Sequence, residues 1–240
     1  MRKLLFLFAV ATLGLSGFAG WFFFGGPDDD PTRIKMAAAV AEIEALIPKA
    51  KKGDVKVQYQ LASLYYRGKY GPKDFGAAFK WFSRAAEKGH TGAQYAVGAM
   101  YAKGESVPQS YFRAAEWYKL SANLGHNVEA QLALGHLYFK GQGVPHDYAE
   151  ALDWYTKAAH RGQPVAQHYL GAMYAEGWAG EFDAVRAYQW FTLAARQKER
   201  VLGYDPKLDS LAARARLATK MNQNQIKRAT EAAENWRPRR

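Results

Sequence analysis

Four tryptophans set a ruler along this chain. Trp81, Trp117, Trp154 and Trp190 stand 36, 37 and 36 residues apart. The same steps carry Tyr65 onto Tyr101, Tyr138 and Tyr174, Gln58 onto Gln94, Gln131 and Gln167, and Gly68 onto Gly104, Gly141 and Gly177. Gly53, Gly89, Gly125 and Gly162 fall at the close of successive periods. Self-similarity at such a period marks supersecondary units that cannot bury their apolar faces alone and must stack on one another. The 240 residues are therefore one array, where length alone allows one or two domains.

Each unit reads as a helical hairpin. Gln131, Leu134, Gly135 and Tyr138 fall at i, i+3, i+4 and i+7, one stripe of a helix. The equivalent positions are Gln94, Val97, Gly98 and Tyr101, and Gln167, Leu170, Gly171 and Tyr174, while Ala62 stands for the glycine in the first unit. Glycine inside a helix costs roughly 1 kcal/mol against alanine, so its recurrence predicts close approach of a second helix backbone. Gly141-Gln142-Gly143-Val144-Pro145 ends the first helix. Asp147 is the expected N-cap of the second, with Glu150 completing a capping box. That helix places Tyr148, Ala151, Trp154, Tyr155 and Ala158 on one face, and Gly162 closes it at C′.

At these residues the chain resembles the Sel1-like repeat family, relatives of the tetratricopeptide repeats with a slightly longer period. The pattern matched is A-x-x-x-L-G-x-x-Y-x-x-G-x-G-V-x-x-D-x-x-x-A-x-x-W-Y-x-x-A-A-x-x-G, over about Val55 to Arg196. The resemblance implies an all-α, right-handed α/α solenoid of about four hairpins and an adaptor role in assembly, envelope or signalling complexes. The units run over 54–90, 91–126, 127–163 and 164–198. Three positions depart from the pattern: Gly71 where Val107 and Val144 stand, Glu181 in place of proline, and Lys198 where the closing glycine belongs. The last departure predicts that the fourth hairpin runs on into something different.

Both ends differ from the repeats. Met1-Arg2-Lys3 precedes Leu4–Phe24, 21 residues without a charge that end in Trp21-Phe22-Phe23-Phe24. This span is long enough to cross a bilayer core and carries aromatics where an interface belt sits. Residues 1–25 are expected to be a transmembrane anchor, the alternative being a cleaved signal sequence with Gly17 and Ala19 before the cut. Either way the repeats are exported if the N-terminus stays in the cytoplasm, giving a single-pass protein with a periplasmic repeat domain or a soluble exported one. Residues 26–32 form a linker, and 33–53 an N-terminal capping helix that Pro48 kinks or splits. Residues 199–240 read as basic capping helices: Asp205 and Pro206 start one, Leu208–Met221, and a second covers Asn222–Trp236. Leu211, Ala215, Leu217, Ala218, Ile226, Ala229, Ala233 and Trp236 are expected to pack inward.

Formal charge is +11, and from Arg196 to Arg240 there are 12 Lys/Arg against 5 Asp/Glu, so +7 of it lies at the C-terminal end. Arg214, Arg216, Lys227 and Arg228 form the expected basic face, suited to anionic headgroups or an acidic partner. Export argues against nucleic acid. The chain has no cysteine, so thiolate metal sites and disulfides are excluded. None of the six histidines has an i, i+4 partner of ligand type, and no G-x-S-x-G, phosphate loop or H-E-x-x-H occurs. The expectation is a binding protein with no cofactor, not an enzyme; action on cell-wall glycan and a cytosol-facing regulator are the alternatives.

Beside each core stripe runs a second that varies between copies: Tyr59, Ser63 and Tyr66; Tyr95, Ala99 and Ala102; Leu132, His136 and Phe139; His168, Ala172 and Ala175. First helices line the concave face of a solenoid, so variation there is what a protein-binding groove shows. Tyr59, Tyr66, Tyr95, Leu132, His136, Phe139 and His168 are the expected contact residues for a protein partner in a membrane or envelope complex.

Overall fold

The computed structural model describes residues 31–68, 72–124, 127–178 and 180–239, and within the first helix the side chains of residue 38 and of 40–51. The expected anchor or signal segment, most of the linker, Gly71, Gly125 and His126 lie outside the described residues. Among the described residues no helix is long and apolar enough to cross a membrane.

Twelve helices and no strand are found among the described residues. Helix α1 (Pro31–Lys51) leads into four hairpins: α2 (Val55–Arg67) with α3 (Phe75–Glu87), α4 (Thr91–Lys103) with α5 (Tyr111–Leu124), α6 (Val128–Lys140) with α7 (Tyr148–His160), and α8 (Pro164–Glu176) with α9 (Ala184–Ala195). Helices α10 (Lys198–Tyr204), α11 (Ser210–Ala218) and α12 (Gln223–Asn235) follow. The hairpin register is the one the tryptophan ruler predicts. Pro48 lies inside one continuous α1 and does not split it.

Local chemistry starts and stops each element. Every first helix has a side-chain N-cap that accepts from the third residue on: Asp54, His90, Asn127 and Gln163. Each ends at a glycine in the left-handed region, Gly68, Gly104, Gly141 or Gly177. Asp147 caps α7 by accepting from the amides of Ala149 and Glu150. The reciprocal capping box forms elsewhere, between Asn222 and Gln225.

The helical glycines have a reason other than the one the spacing predicts. A Cβ on Gly135 would stand 2.5 Å from the Tyr155 ring, one on Gly98 2.7 Å from Tyr118, and one on Gly171 2.9 Å from Phe191. An aromatic ring from the second helix lies flat against the first, and the missing side chain makes room for it. At Gly98 the backbone also comes close, with the Ala114 carbonyl 3.2 Å from where a Cβ would stand. The rings are buried: Tyr155 is fully enclosed, and Phe82, Tyr118 and Phe191 nearly so.

The tryptophans join neighbours. Trp154 packs in a cluster with Leu134 of its own hairpin and Ala114 and Tyr118 of the preceding one, and Trp190 with Leu170 of its own hairpin and Leu132 and Tyr155 of the one before it. Trp81 and Trp154 are buried, while Trp117 is half-buried.

The C-terminal end corrects the expected boundaries. Asp205 ends α10, its amide donating to the Val201 carbonyl, and its carboxylate takes the amide of Lys207. The start of α11 is capped instead by Asp209, which accepts from Leu211 and Ala212. An extra helix thus intervenes, because α9 ends at Arg196 without a left-handed glycine and the chain re-enters a helical turn at once. The shifted phase leaves Leu211 and Ala215, both expected inside, exposed. Leu217 packs with Ala184, Ala187 and Phe191, and Ala233 and Trp236 pack around Trp190, so α11 and α12 close the end of the stack.

Gly135→Ala is expected to lower stability by about 1–3 kcal/mol, the cost of overpacking a filled site, although alanine is the better helix former. Trp154→Ala is expected to cost about 3–5 kcal/mol through the cavity it leaves between two hairpins. Urea titrations of both variants check this; a neutral Gly135→Ala would show that Tyr155 is free to move.

Candidate functional site

The expected groove residues meet different fates. Leu132 is 3% exposed and belongs to the core with Val165, Leu170 and Tyr155. His168 is 8% exposed, with its Nδ1 2.8 Å from the Ser210 hydroxyl. Both are corrections to the contact row: Leu132 is covered by the next hairpin, and His168 by the start of α11. Tyr59 stacks on the His90 ring at 4.3 Å and meets Phe82 at 5.6 Å, so it packs against the neighbouring hairpin.

The other four stay half-buried on the first-helix face. Tyr66 sits edge-on between Phe75 and Phe82, and its hydroxyl donates to Glu105 at 2.9 Å. Lys103 donates to the same hydroxyl at 3.2 Å. This trio ties the first hairpin to the second. Tyr95 lies against Tyr118, ring centres 5.7 Å apart. Burial, then the Glu129 carboxylate, pushes the Tyr95 phenol up to about 12, so it is a neutral hydroxyl at any ordinary pH. Phe139 is packed by Tyr148 at 5.3 Å and Trp178 at 5.0 Å, and those two rings stack on each other.

His136 is the centre of the face. Its Nδ1 is 2.7 Å from the Tyr155 hydroxyl, and its ring touches Tyr169 edge-on at 4.7 Å and stacks on Tyr204 at 5.8 Å. Its Nε2 is buried with no hydrogen-bond partner. Burial first, and Lys140 second, lower its pKa to about 4. Burial likewise lowers His168 to about 4. Both rings are therefore neutral at pH 7. His90 is also lowered by burial, and it needs its neutral form because Nδ1 accepts the Ala93 amide as an N-cap.

Tyr169, Tyr204 and Trp178 were not among the expected residues. Tyr169 left a trace in the sequence, as an aromatic where the other copies hold Gln60, Ala96 and Ala133. Trp178 takes the loop position of Glu105 and Gln142. Tyr204 sits on α10, which has no counterpart in the repeat, so no periodic signal points to it.

The basic residues form no cluster of their own around a site. Arg214 lies over the Tyr188 ring at 5.7 Å, Lys227 pairs with Glu231 at 4.0 Å, and Arg216 and Arg228 are exposed. Among the described residues no group of three or more His, Asp or Glu could hold a metal ion.

The arrangement is a row of half-exposed aromatic rings on a rigid stack, suited to binding. The Sel1 repeat matches four stretches, residues 55–90, 91–126, 128–163 and 164–199. A protective antigen of uropathogenic Escherichia coli displaying an SLR fold is similar at 31% identity and a TM-score of 0.63, over 80% of this chain and 48% of that one. This chain thus spans about half the length of that relative. A Sel1 repeat protein from Oxalobacter formigenes shares the fold at 24% identity and a TM-score of 0.58, over 77% of this chain and 86% of the other. No curated protein matches the chain.

The lowered histidines fix a pH dependence. Unfolded, each titrates near its ordinary 6.5; folded, His136 and His168 do so near 4. Between these values the unfolded chain binds the extra protons, so stability is complete above pH 6.5 and falls as pH drops to about 4. Unfolding free energies from urea titrations at pH 7.5 and 4.5 are expected to differ by several kcal/mol in wild type. His136→Gln narrows that difference; an unchanged difference would mean the His136 ring is solvated.

Proposed function

We propose, for a chain that belongs to the Sel1 repeat family, that it is a scaffold which holds a partner protein on its first-helix face. The observation that carries this is the line of half-exposed aromatics, Tyr66, Tyr95, Phe139 and Trp178, spread over all four hairpins. They differ from copy to copy while the Gln, Gly and Trp positions between them are held by packing. Rigid aromatics lose little entropy on binding and dominate contact energy at protein interfaces.

The uncharged Leu4–Phe24 span supports placing this scaffold at a membrane, in an envelope complex with the repeats on the exported side. Anchoring fixes the array beside its partner and raises effective concentration without any added contact. Membrane fractionation is the check. The protein is expected in the pellet at high salt with its N-terminus near Met1; a mature N-terminus at Gly20 would remove the anchor and leave a soluble exported scaffold.

Replacing Tyr66 and Phe139 together by alanine is expected to weaken partner capture by roughly 2 kcal/mol or more. Trp178→Ala is expected to act in the same direction, since Trp178 covers Phe139. Melting temperature is measured alongside, because Tyr66 also joins two hairpins. Binding through the aromatic row resists salt, whereas binding through Arg214, Arg216, Lys227 and Arg228 weakens steeply as salt rises. Steep salt dependence with an unchanged double variant would move the partner to the basic face.

A further inference from the structure

The loop of the fourth hairpin breaks the repeat pattern at two adjacent positions. The tryptophan ruler sets Gly180 where Val107 and Val144 stand, and Glu181 where Pro108 and Pro145 stand. In the third hairpin the loop closes on the second helix before it. The Gly143 backbone there leaves no room for a Cβ against Tyr111, and Val144 packs in one cluster with Ala115, Leu137 and Tyr138. Val144 is the plug of that junction.

One junction further on, the same positions surround open space. Leu152, Met173 and Tyr174 take the places of Ala115, Leu137 and Tyr138. With Gly180 and Phe182 they line a cavity of about 350 Å³. A Cβ built on Gly180 would meet nothing within 4 Å, and its φ of +153° is one that a side chain would strain. The loop therefore does not supply the plug itself. Leu152 is larger than Ala115 yet stays half-buried in the wall, and Phe182 is 53% exposed. The cavity lies in the range of ligand clefts, about 300–1,000 Å³, with room for one side chain and the backbone that carries it.

Three charged residues complete the lining. Arg186 is engaged, its Nε 3.3 Å from the Asp183 carboxylate and its guanidinium over the Tyr174 ring at 5.4 Å. Glu181 is exposed and has no hydrogen-bond or ion-pair partner among the described residues. The fourth loop has thus exchanged a valine and a proline for space and an unpaired carboxylate.

We propose that this cavity binds a partner protein through a valine, or a similar branched aliphatic side chain, with a lysine or arginine beside it. The ligand supplies what Val144 supplies one hairpin earlier, burying its methyl groups against Leu152, Met173 and Phe182. Its cation meets Glu181. An exposed ion pair adds little, so the aliphatic group sets affinity and the cation sets preference. None of the lining residues belongs to the aromatic row of the first helices, so the site stands without that row.

The test titrates the full chain with the peptide acetyl-Gly-Val-Lys-Gly-amide and follows amide shifts by NMR, which are expected to move at residues 180–186. Alanine in place of the peptide's valine removes two methyl groups and is expected to weaken binding about tenfold. Glutamate in place of its lysine is expected to weaken binding about threefold or more. Phe182→Ala is expected to weaken the valine peptide about threefold, and Glu181→Gln to make the lysine and glutamate peptides equal. Both residues are exposed, so the melting temperature is expected to hold. The Tyr66 and Phe139 double variant is expected to bind the peptide as wild type does, whatever becomes of partner capture on the first-helix face. Absence of binding, equal binding of the valine and alanine peptides, or loss of the peptide in the double variant overturns the proposal. Lysine and glutamate peptides that bind wild type equally overturn the cation beside the aliphatic group.

Discussion

The stack depends on one buried hydrogen bond repeated at the same place. The last carbonyls of a helix have no partner within it, and at the end of a second helix these carbonyls face the next hairpin. Gln58 donates its side-chain amide to Ala50, Gln94 to Ala86 and Gln167 to Ala159, each eight residues back across the junction. All three glutamines and Gln131 are almost wholly buried. A buried carbonyl left open costs about 1–3 kcal/mol, so the clasp fixes both the spacing and the rotation of successive hairpins. The glutamine oxygens have no partner of their own, a cost repeated in every unit and offset by the apolar surface that the alignment buries.

That alignment explains the other fixed positions. Once the glutamine holds a first helix against the preceding second helix, an aromatic ring from its own second helix must lie across it. Glycine is what the ring permits at Gly98, Gly135 and Gly171. The tryptophan beside each ring points the other way, into the earlier hairpin. One residue thus closes a hairpin and its neighbour joins two, which is why the pair W-Y or W-F travels together at Trp117, Trp154 and Trp190.

With the spacing fixed by the core, the first-helix face is free to vary. Lysine and arginine concentrate on the closing helices after Arg196, which pack on the last hairpin and turn a solvated face outward. Aromatic rings gather where α10 folds back over α6 and α8, with Tyr204 and Tyr169 on the His136 ring. A solvated cap at one end and aromatics along the hairpins suit a scaffold whose working surface is its length.

Repeat number, hairpin boundaries, the Asp147 cap and the recurring Trp, Gln and Gly positions were legible in the sequence, because each rests on local chemistry or on contacts between neighbours at a constant offset. Four copies of one solution reinforce the signal. Tertiary structure alone decided which stripe residues stay accessible. Leu132 and His168 look like their neighbours in the pattern, yet one is covered by the next hairpin and the other by Ser210, 42 residues on. The same return brings Tyr204 onto His136 from a helix outside the repeat. Periodicity reports contacts that recur, and the closing helices make contacts that occur once.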